Sequence, residues 1–221
     1  LFISTYKDNK FLPKELIDEI ERIKERDPDY WRVYGEGQRA VFSEKQIFKN
    51  WNYIPYADFP QIDDEVLGCD FGFSQDNLAI VKVGRHNDKL YIHELMYKKG
   101  MTNRDIANFI KEQKLNDMLM YCDSAEPKSI EELRQMSVWA KPAIKGQGSI
   151  NAGISLLKEF DIYVSEESVN VIKEQQSYLY DELKDGTIIN KPKPNQNDHL
   201  MDSIRYCVYS RWKNRNDFFV V

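Results

Sequence analysis

Cysteine is scarce in this chain of 221 residues: there are three, Cys69, Cys122 and Cys207, with no CxxC pair among them. An odd, widely spaced set argues against a disulfide scaffold or a zinc site and suits a reducing compartment. Long apolar runs are missing too. None approaches the ~20 residues needed to cross a bilayer, and no charged-then-apolar leader opens the chain, so no membrane partner and a cytoplasmic location are expected. Positive charge is not in excess: 31 Lys and Arg stand against 36 Asp and Glu, a net charge of −5. That argues against a protein that grips polyanions with a generally basic surface. It leaves room for a site in which clustered carboxylates hold cations that in turn attract phosphate. A GxxxxGK[ST] phosphate loop is also missing, so no ATP hydrolysis is expected of this chain. It opens on Leu1 and reads as a piece of something longer.

What is present is an ordinary globular balance, 42% apolar and 30% charged, enough for one sizeable α/β domain with a flanking segment. Residues 1–62 read as an arm. Pro13–Arg26 has a helical pattern with Pro at its first turn, and Trp31, Tyr34, Trp51, Tyr53 and Tyr56 follow in an irregular aromatic stretch suited to packing. Residues 63–221 read as the domain. Strands are expected over Glu65–Phe71, Leu78–Gly84 and Lys89–Tyr97, the last two joined by a turn at His86-Asn87-Asp88. Thr102 can cap a helix over Asn103–Lys114. Strands near Met118–Cys122, Val138–Ile144 and Ile162–Val164 then alternate with helices near Pro127–Met136, Ser149–Phe160 and Glu167–Tyr180. A small hairpin over Leu183–Asn190, a loop over Lys191–Asn197 and a helix over Asp198–Arg211 close the chain. The first three strands form an antiparallel meander. The later ones need crossover helices and run parallel to the first.

Within that pattern three aspartates stand out. Asp70 ends a strand on which Val66, Gly68 and Asp70 share one face, and Asp123 follows Met118–Cys122 in the same way. Each has a cysteine just before it, which on a strand faces the opposite side and serves as core filler. Functional groups gather at the carboxyl ends of parallel strands, so if the first and fourth strands are neighbours the two acids emerge side by side. On the closing helix Asp198, His199 and Asp202 share one side. A nest of carboxylate oxygens suits Mg²⁺ or Mn²⁺, and two such ions about 4 Å apart would serve phosphodiester hydrolysis. Asp70 is the candidate to bridge both ions. His199 is a ligand or a proton-handling group. Asp198 is a further ligand or the cap of the last helix.

Four segments carry a family resemblance: DFGFSQDNLAIV (Asp70–Val81), YCDSAEPKSIEEL (Tyr121–Leu133), KGQGSINAGISLL (Lys145–Leu157) and NDHLMDSIRY (Asn197–Tyr206). Together they resemble the nuclease domain of phage terminase large subunits, and TYKDNKFLP (Thr5–Pro13) with VYGEG (Val33–Gly37) resembles the stretch that links ATPase and nuclease in that family. The resemblance implies a ribonuclease H-like α/β fold, a mixed sheet of three antiparallel and then parallel strands flanked by helices. It implies an endodeoxyribonuclease that cuts concatemeric double-stranded viral DNA during genome packaging with two Mg²⁺ or Mn²⁺ ions. The family's metal-binding acids fall on Asp70, Asp123 and Asp202, and a histidine found in part of the family falls on His199. Implied partners are double-stranded DNA and, in the full protein, an ATPase domain, a small terminase subunit and the portal, all in the bacterial host cytoplasm.

For DNA contact the candidates are Lys145, Lys191, Lys193 and Arg205. Lys145 with Gly146 and Gly148 either cradles a phosphate at a helix start or forms an ordinary turn, and Lys191 and Lys193 either touch the backbone or solvate a surface. Asp76 reads as a turn residue, and His86 and His93 as residues without chemistry. Other readings of the acids are a junction resolvase or transposase core of the same fold, and a non-enzymatic docking module that only binds ions. Asp70-Phe71-Gly72-Phe73-Ser74 also imitates the phosphate hairpin of actin-like ATPases, although the second lobe such proteins need has no room here.

Overall fold

The computed structural model describes residues 44–72 and 76–214, with isolated positions at Tyr6, Pro13, Lys14, Ile17 and Glu21. The chain divides into two compact units, 1–45 and 46–221. In the first, Lys14, Ile17 and Glu21 are helical, and the Ile17 amide donates to the Pro13 carbonyl at 3.1 Å. The rest of the expected Pro13–Arg26 helix, with Trp31 and Tyr34, lies outside the described residues.

The second unit runs β1 (Asn52–Ile54), a 3-10 turn (Tyr56–Asp58), β2 (Asp64–Asp70), β3 (Asn77–His86), β4 (Lys89–Lys99), α1 (Asn103–Glu112), β5 (Met120–Cys122), α2 (Pro127–Gln135), β6 (Ala140–Pro142), α3 (Ser149–Leu157), β7 (Asp161–Ser165), α4 (Val169–Ser177), β8 (Tyr180–Glu182), β9 (Ile188–Pro192) and α5 (His199–Trp212). Seven strands form one sheet in the order β1-β7-β4-β3-β2-β5-β6. β2, β3 and β4 are the expected antiparallel meander. β5 and β7 add in parallel on its two sides. β1 comes from the stretch read as an irregular arm, and pairs in parallel with β7. Nothing in Asn52-Tyr53-Ile54 alternates long enough to announce a strand, and only its neighbour supplies the ladder.

Side-chain alternation along the strands builds two cores. Leu67 and Cys69 of β2 pack with Ile80, Met120 and Cys122 against Ile106 and Ile110 of α1 and Ile130 and Leu133 of α2. Val66, Ala79 and Val81 face the other way, onto α3, α4 and α5. All three cysteines are free and buried. α1 begins with a full capping box, in which Thr102 and Asp105 exchange bonds and satisfy two otherwise orphaned amides. Asn87 takes the left-handed conformation (φ 56°) that the turn between β3 and β4 requires.

α5 lies across β2, and it does so because residue 68 is glycine. A Cβ there would stand 2.1 Å from the Ser203 carbonyl oxygen. The Ser203 hydroxyl donates to the Ala79 carbonyl at 2.9 Å, which fixes the helix to the sheet at the same level. At the far end Asp64 of β2 accepts from Arg211 (2.9 Å) and from the Trp212 indole (2.6 Å). The hairpin near the end of the chain is displaced from its expected span. Its strands are β8 and β9 around a wider turn at 183–187, so Lys191 sits on a strand and not in a loop.

Candidate metal centre

Asp70 is the last residue of β2 and Asp123 follows β5 directly. The two strands are parallel neighbours with Cys69 opposite Cys122, and the Asp123 amide continues the ladder by donating to the Cys69 carbonyl at 3.0 Å. The two acids therefore leave adjacent strand ends, and the cysteines before them point into the opposite core. α5 brings Asp198, His199, Asp202, Arg205 and Tyr206 over that edge.

These groups are already tied together. His199 Nδ1 is 2.9 Å from Asp70 Oδ2. The Tyr206 hydroxyl lies 3.0 Å from Asp202 Oδ2 and 3.3 Å from Asp123 Oδ2, so its single proton serves one or the other. Arg205 Nη2 pairs with Asp202 Oδ1 at 2.8 Å. Lys145 Nζ pairs with Asp123 Oδ1 at 2.5 Å and stands 4.5 Å from the centre of the Tyr206 ring. The Ala125 amide donates to the same Asp123 oxygen at 2.7 Å. Among the described residues no three His, Cys, Asp or Glu groups close on a common point at metal-ligating distance. Lys145 pairs with Asp123, Arg205 pairs with Asp202, and the Tyr206 hydroxyl lies between the two acids.

Burial dominates the electrostatics of the raised acids, with repulsion between carboxylates second. Burial pushes the Asp70 carboxyl above its usual range, the charges of Asp202 and Asp123 add to this, and the His199 bond opposes it. Asp198 is pushed up to about 6, by burial first and then by Asp202 and Asp70. Asp123 goes the other way: burial would raise it, but Lys145, the Ala125 amide and Tyr206 together hold it below its ordinary value. His199 is raised, chiefly by its bond to Asp70. Glu174 of α4 is 4% exposed, and burial lifts its carboxyl to about 7.

The sign of the resulting pH dependence follows. Asp70, Asp198, Glu174 and His199 keep protons to higher pH in the fold than in the unfolded chain. Between about pH 4 and 7 the native state therefore binds more protons, and stability falls as pH rises through that window. The Glu174 shift alone is worth roughly 3 kcal/mol. Asp123 works in the opposite sense, but below the ordinary carboxylate value, and His93, lowered by burial and then by Lys82, offsets part of the trend. Calorimetry in EDTA should give a Tm several degrees higher at pH 5 than at pH 7.5; a Tm that climbs steadily across that interval would refute this account of the acids.

A cleft of about 580 Å³ adjoins the acids and is lined by Lys145, Lys191, Lys193, Asp198, Asp202, Arg205 and Tyr206, among others. The candidate DNA-contacting lysines thus share one wall system with two of the candidate ligands. Arg205 is placed for a different task from the one its charge suggested. It is 4% exposed, and its guanidinium is spent on Asp202. Asp198 occupies the cap position of α5, yet its side chain makes no capping bond. Asp76 is exposed in a bend, as expected of a turn residue. His93 stacks on Tyr56 at 4.0 Å and bonds Ser165 on the far side of the sheet.

Two participants were missed in the sequence, Tyr206 and Glu174. Tyr206 had a usable signal, four residues after Asp202 on the same helical side. Glu174 had none, because its role depends on how α4 packs beside α5.

Comparison with known proteins is consistent along most of the chain. A family model described as the terminase RNase H-like domain matches residues 70–210, and one described as phage terminase large subunit matches residues 1–38. The PBSX phage terminase large subunit of Bacillus subtilis (strain 168) is 29% identical over 214 residues, covering 93% of this chain and 49% of the relative. The terminase large subunit of Bacillus phage SPP1 is 28% identical over 214 residues, covering 92% and 50%. The chain thus spans about half the length of these relatives. Among solved structures, the large terminase nuclease domain of bacteriophage SPP1 with bound Mn superposes with a TM-score of 0.66 at 26% identity, covering 73% of this chain and 96% of that one.

Proposed function

The chain belongs to the terminase RNase H-like domain family, and from that premise we propose that it is a metal-dependent endodeoxyribonuclease that cuts concatemeric double-stranded viral DNA during packaging. One observation carries the reading: two carboxylates at adjacent parallel strand ends face a helix that adds two more and a histidine. The donor set fits hard divalent cations. It is all carboxylate oxygen apart from His199, and burial together with the charges of neighbouring carboxylates raises the proton affinity of Asp70 and Asp198, a cost that added positive charge relieves.

Asp70, Asp123 and Asp202 would hold Mg²⁺ or Mn²⁺, two ions in our reading, with Asp198 and His199 completing the set. The ions would supply Lewis acidity toward the phosphodiester and a neutral-pH source of nucleophilic water. The protein's own groups do the rest. Asp70 orients the His199 ring through Nδ1, which leaves the other ring nitrogen to bind or to move a proton. Arg205 holds the Asp202 carboxylate, and the Tyr206 hydroxyl stands between Asp202 and Asp123. Lys145, Lys191 and Lys193 edge the cleft where a phosphate backbone would run, contacts that position DNA without reading its sequence.

Residues 1–62 serve as the arm toward an ATPase half in this reading, with β1 lent to the nuclease sheet, and residues 63–221 are the nuclease domain. The small subunit and portal engage the whole protein in the host cytoplasm. The test is supercoiled plasmid incubated with Mn²⁺, Mg²⁺ or EDTA. Nicked and linear products are expected with Mn²⁺ or Mg²⁺ and none with EDTA. Cleavage that survives EDTA overturns the metal requirement.

A further inference from the structure

The N-terminus of α5 carries the candidate ligands, yet the residue at its cap does not cap it. An N-cap aspartate normally accepts from the second and third helical amides. Here those amides, Leu200 and Met201, donate at 2.8 and 3.2 Å to Oε2 of Glu174, which reaches across from α4. Glu174 is 4% exposed, and the Tyr97 hydroxyl of β4 also interacts with its carboxylate. α4 is itself held in the same manner, since the amides of Asn170 and Val171 donate to Glu94 of β4 at 2.9 and 3.1 Å. A half-buried carboxylate on the sheet thus fixes α4, and a buried carboxylate on α4 fixes α5.

We propose that Glu174 is a positioning residue: by taking over the cap of α5 it frees the Asp198 carboxylate to stay in the acid cluster beside Asp202 and Asp70. An N-terminal amide pair left without an acceptor is costly, and Asp198 is the nearest acceptor by sequence and the right residue type. Without Glu174, Asp198 is drawn back onto the Leu200 and Met201 amides and leaves the cluster. The proposal rests on the reading that this cluster holds divalent cations.

The test measures Mn²⁺ binding without DNA, from the free-ion electron paramagnetic resonance signal, on four folded variants of the chain. Glu174→Ala should bind Mn²⁺ on the order of 10-fold more weakly, the range seen when a group that orients a ligand is lost. Glu174→Gln, which keeps an acceptor oxygen, should stay within about 3-fold of wild type. In an Asp198→Ala background the further change Glu174→Ala should have almost no effect, because the ligand it would withdraw is already gone. Equal losses in both backgrounds overturn the proposal and leave Glu174 a structural cap alone.

A second measurement does not depend on metal. Asp198→Ala by itself should leave hydrogen exchange at Leu200 and Met201 unchanged, and a crystal structure of Glu174→Ala should show Asp198 accepting from those amides. Faster exchange in Asp198→Ala, or an Asp198 side chain still in the cluster of Glu174→Ala, overturns it. If wild type binds no Mn²⁺, the nuclease reading fails while these two results still decide the capping exchange.

Discussion

Replacing Asp70 by asparagine is expected to abolish Mn²⁺-dependent plasmid cleavage while leaving the protein at least as stable as wild type. Asp70 is 9% exposed at the end of β2, and it is the acid that faces both His199 and the charges of Asp202 and Asp123. Asparagine keeps the size and can still accept from His199 through its amide oxygen, but it contributes no charge to a cation site. The expected loss is on the order of 1,000-fold, about 4 kcal/mol of transition-state stabilisation. The stability change has the opposite sign. Burial and neighbouring carboxylates both disfavour the ionised Asp70, so a neutral isostere removes strain that the folded state carries at neutral pH. Calorimetry at pH 7.5 in EDTA should therefore show an unchanged or higher Tm. The pairing of the two results matters, because activity lost along with Tm would point to a damaged fold. Cleavage above a tenth of wild type would remove Asp70 from the centre of the mechanism.

The elements that set the site's outline were legible because they obey local rules. Val66, Gly68 and Asp70 alternate over a strand, Thr102 announces a helix start, and Asp198, His199 and Asp202 share a helical side. The meander and the parallel crossovers then follow from connection lengths. What could not be read depends on partners remote in sequence. β1 is a strand only because β7 lies beside it. Arg205 looked like a DNA contact because charge suggests solvent, whereas Asp202 one turn earlier draws its guanidinium inside. Asp198 looked like a cap because its type and position are right, and no pattern in the sequence says that Glu174, 24 residues earlier, already holds the amides. Lys145 was legible as a cation near the site, but its pairing with Asp123 depends on the loop between β6 and α3 returning to the end of β5.

Substituting alanine for Gly68 is expected to be severely damaging for a single added methyl. The added Cβ would stand 2.1 Å from the Ser203 carbonyl oxygen, 2.8 Å from its carbon and 3.1 Å from Cys207 Sγ. The first two are helix backbone, which no rotamer change can move away. Nor can α5 slide freely, because it is held at Ala79 through Ser203, at Asp64 through Arg211 and Trp212, and at Glu174 through its first amides. Either some of these bonds break or the helix lifts off β2. Overpacking of this kind costs about 1–3 kcal/mol and more where backbone is involved, so a loss near 3 kcal/mol and a Tm lower by roughly 6–12 °C are expected for a domain of this size. Because α5 carries Asp202 over Asp70, a lift of about 1 Å should also reduce cleavage roughly 100-fold in the fraction that folds. Gly146→Ala is the matching control for stability. Its Cβ would meet nothing within 4 Å, so its Tm should match wild type. A Gly68→Ala protein with wild-type Tm and wild-type cleavage would mean that the close approach of α5 to β2 does not set the geometry of the acids.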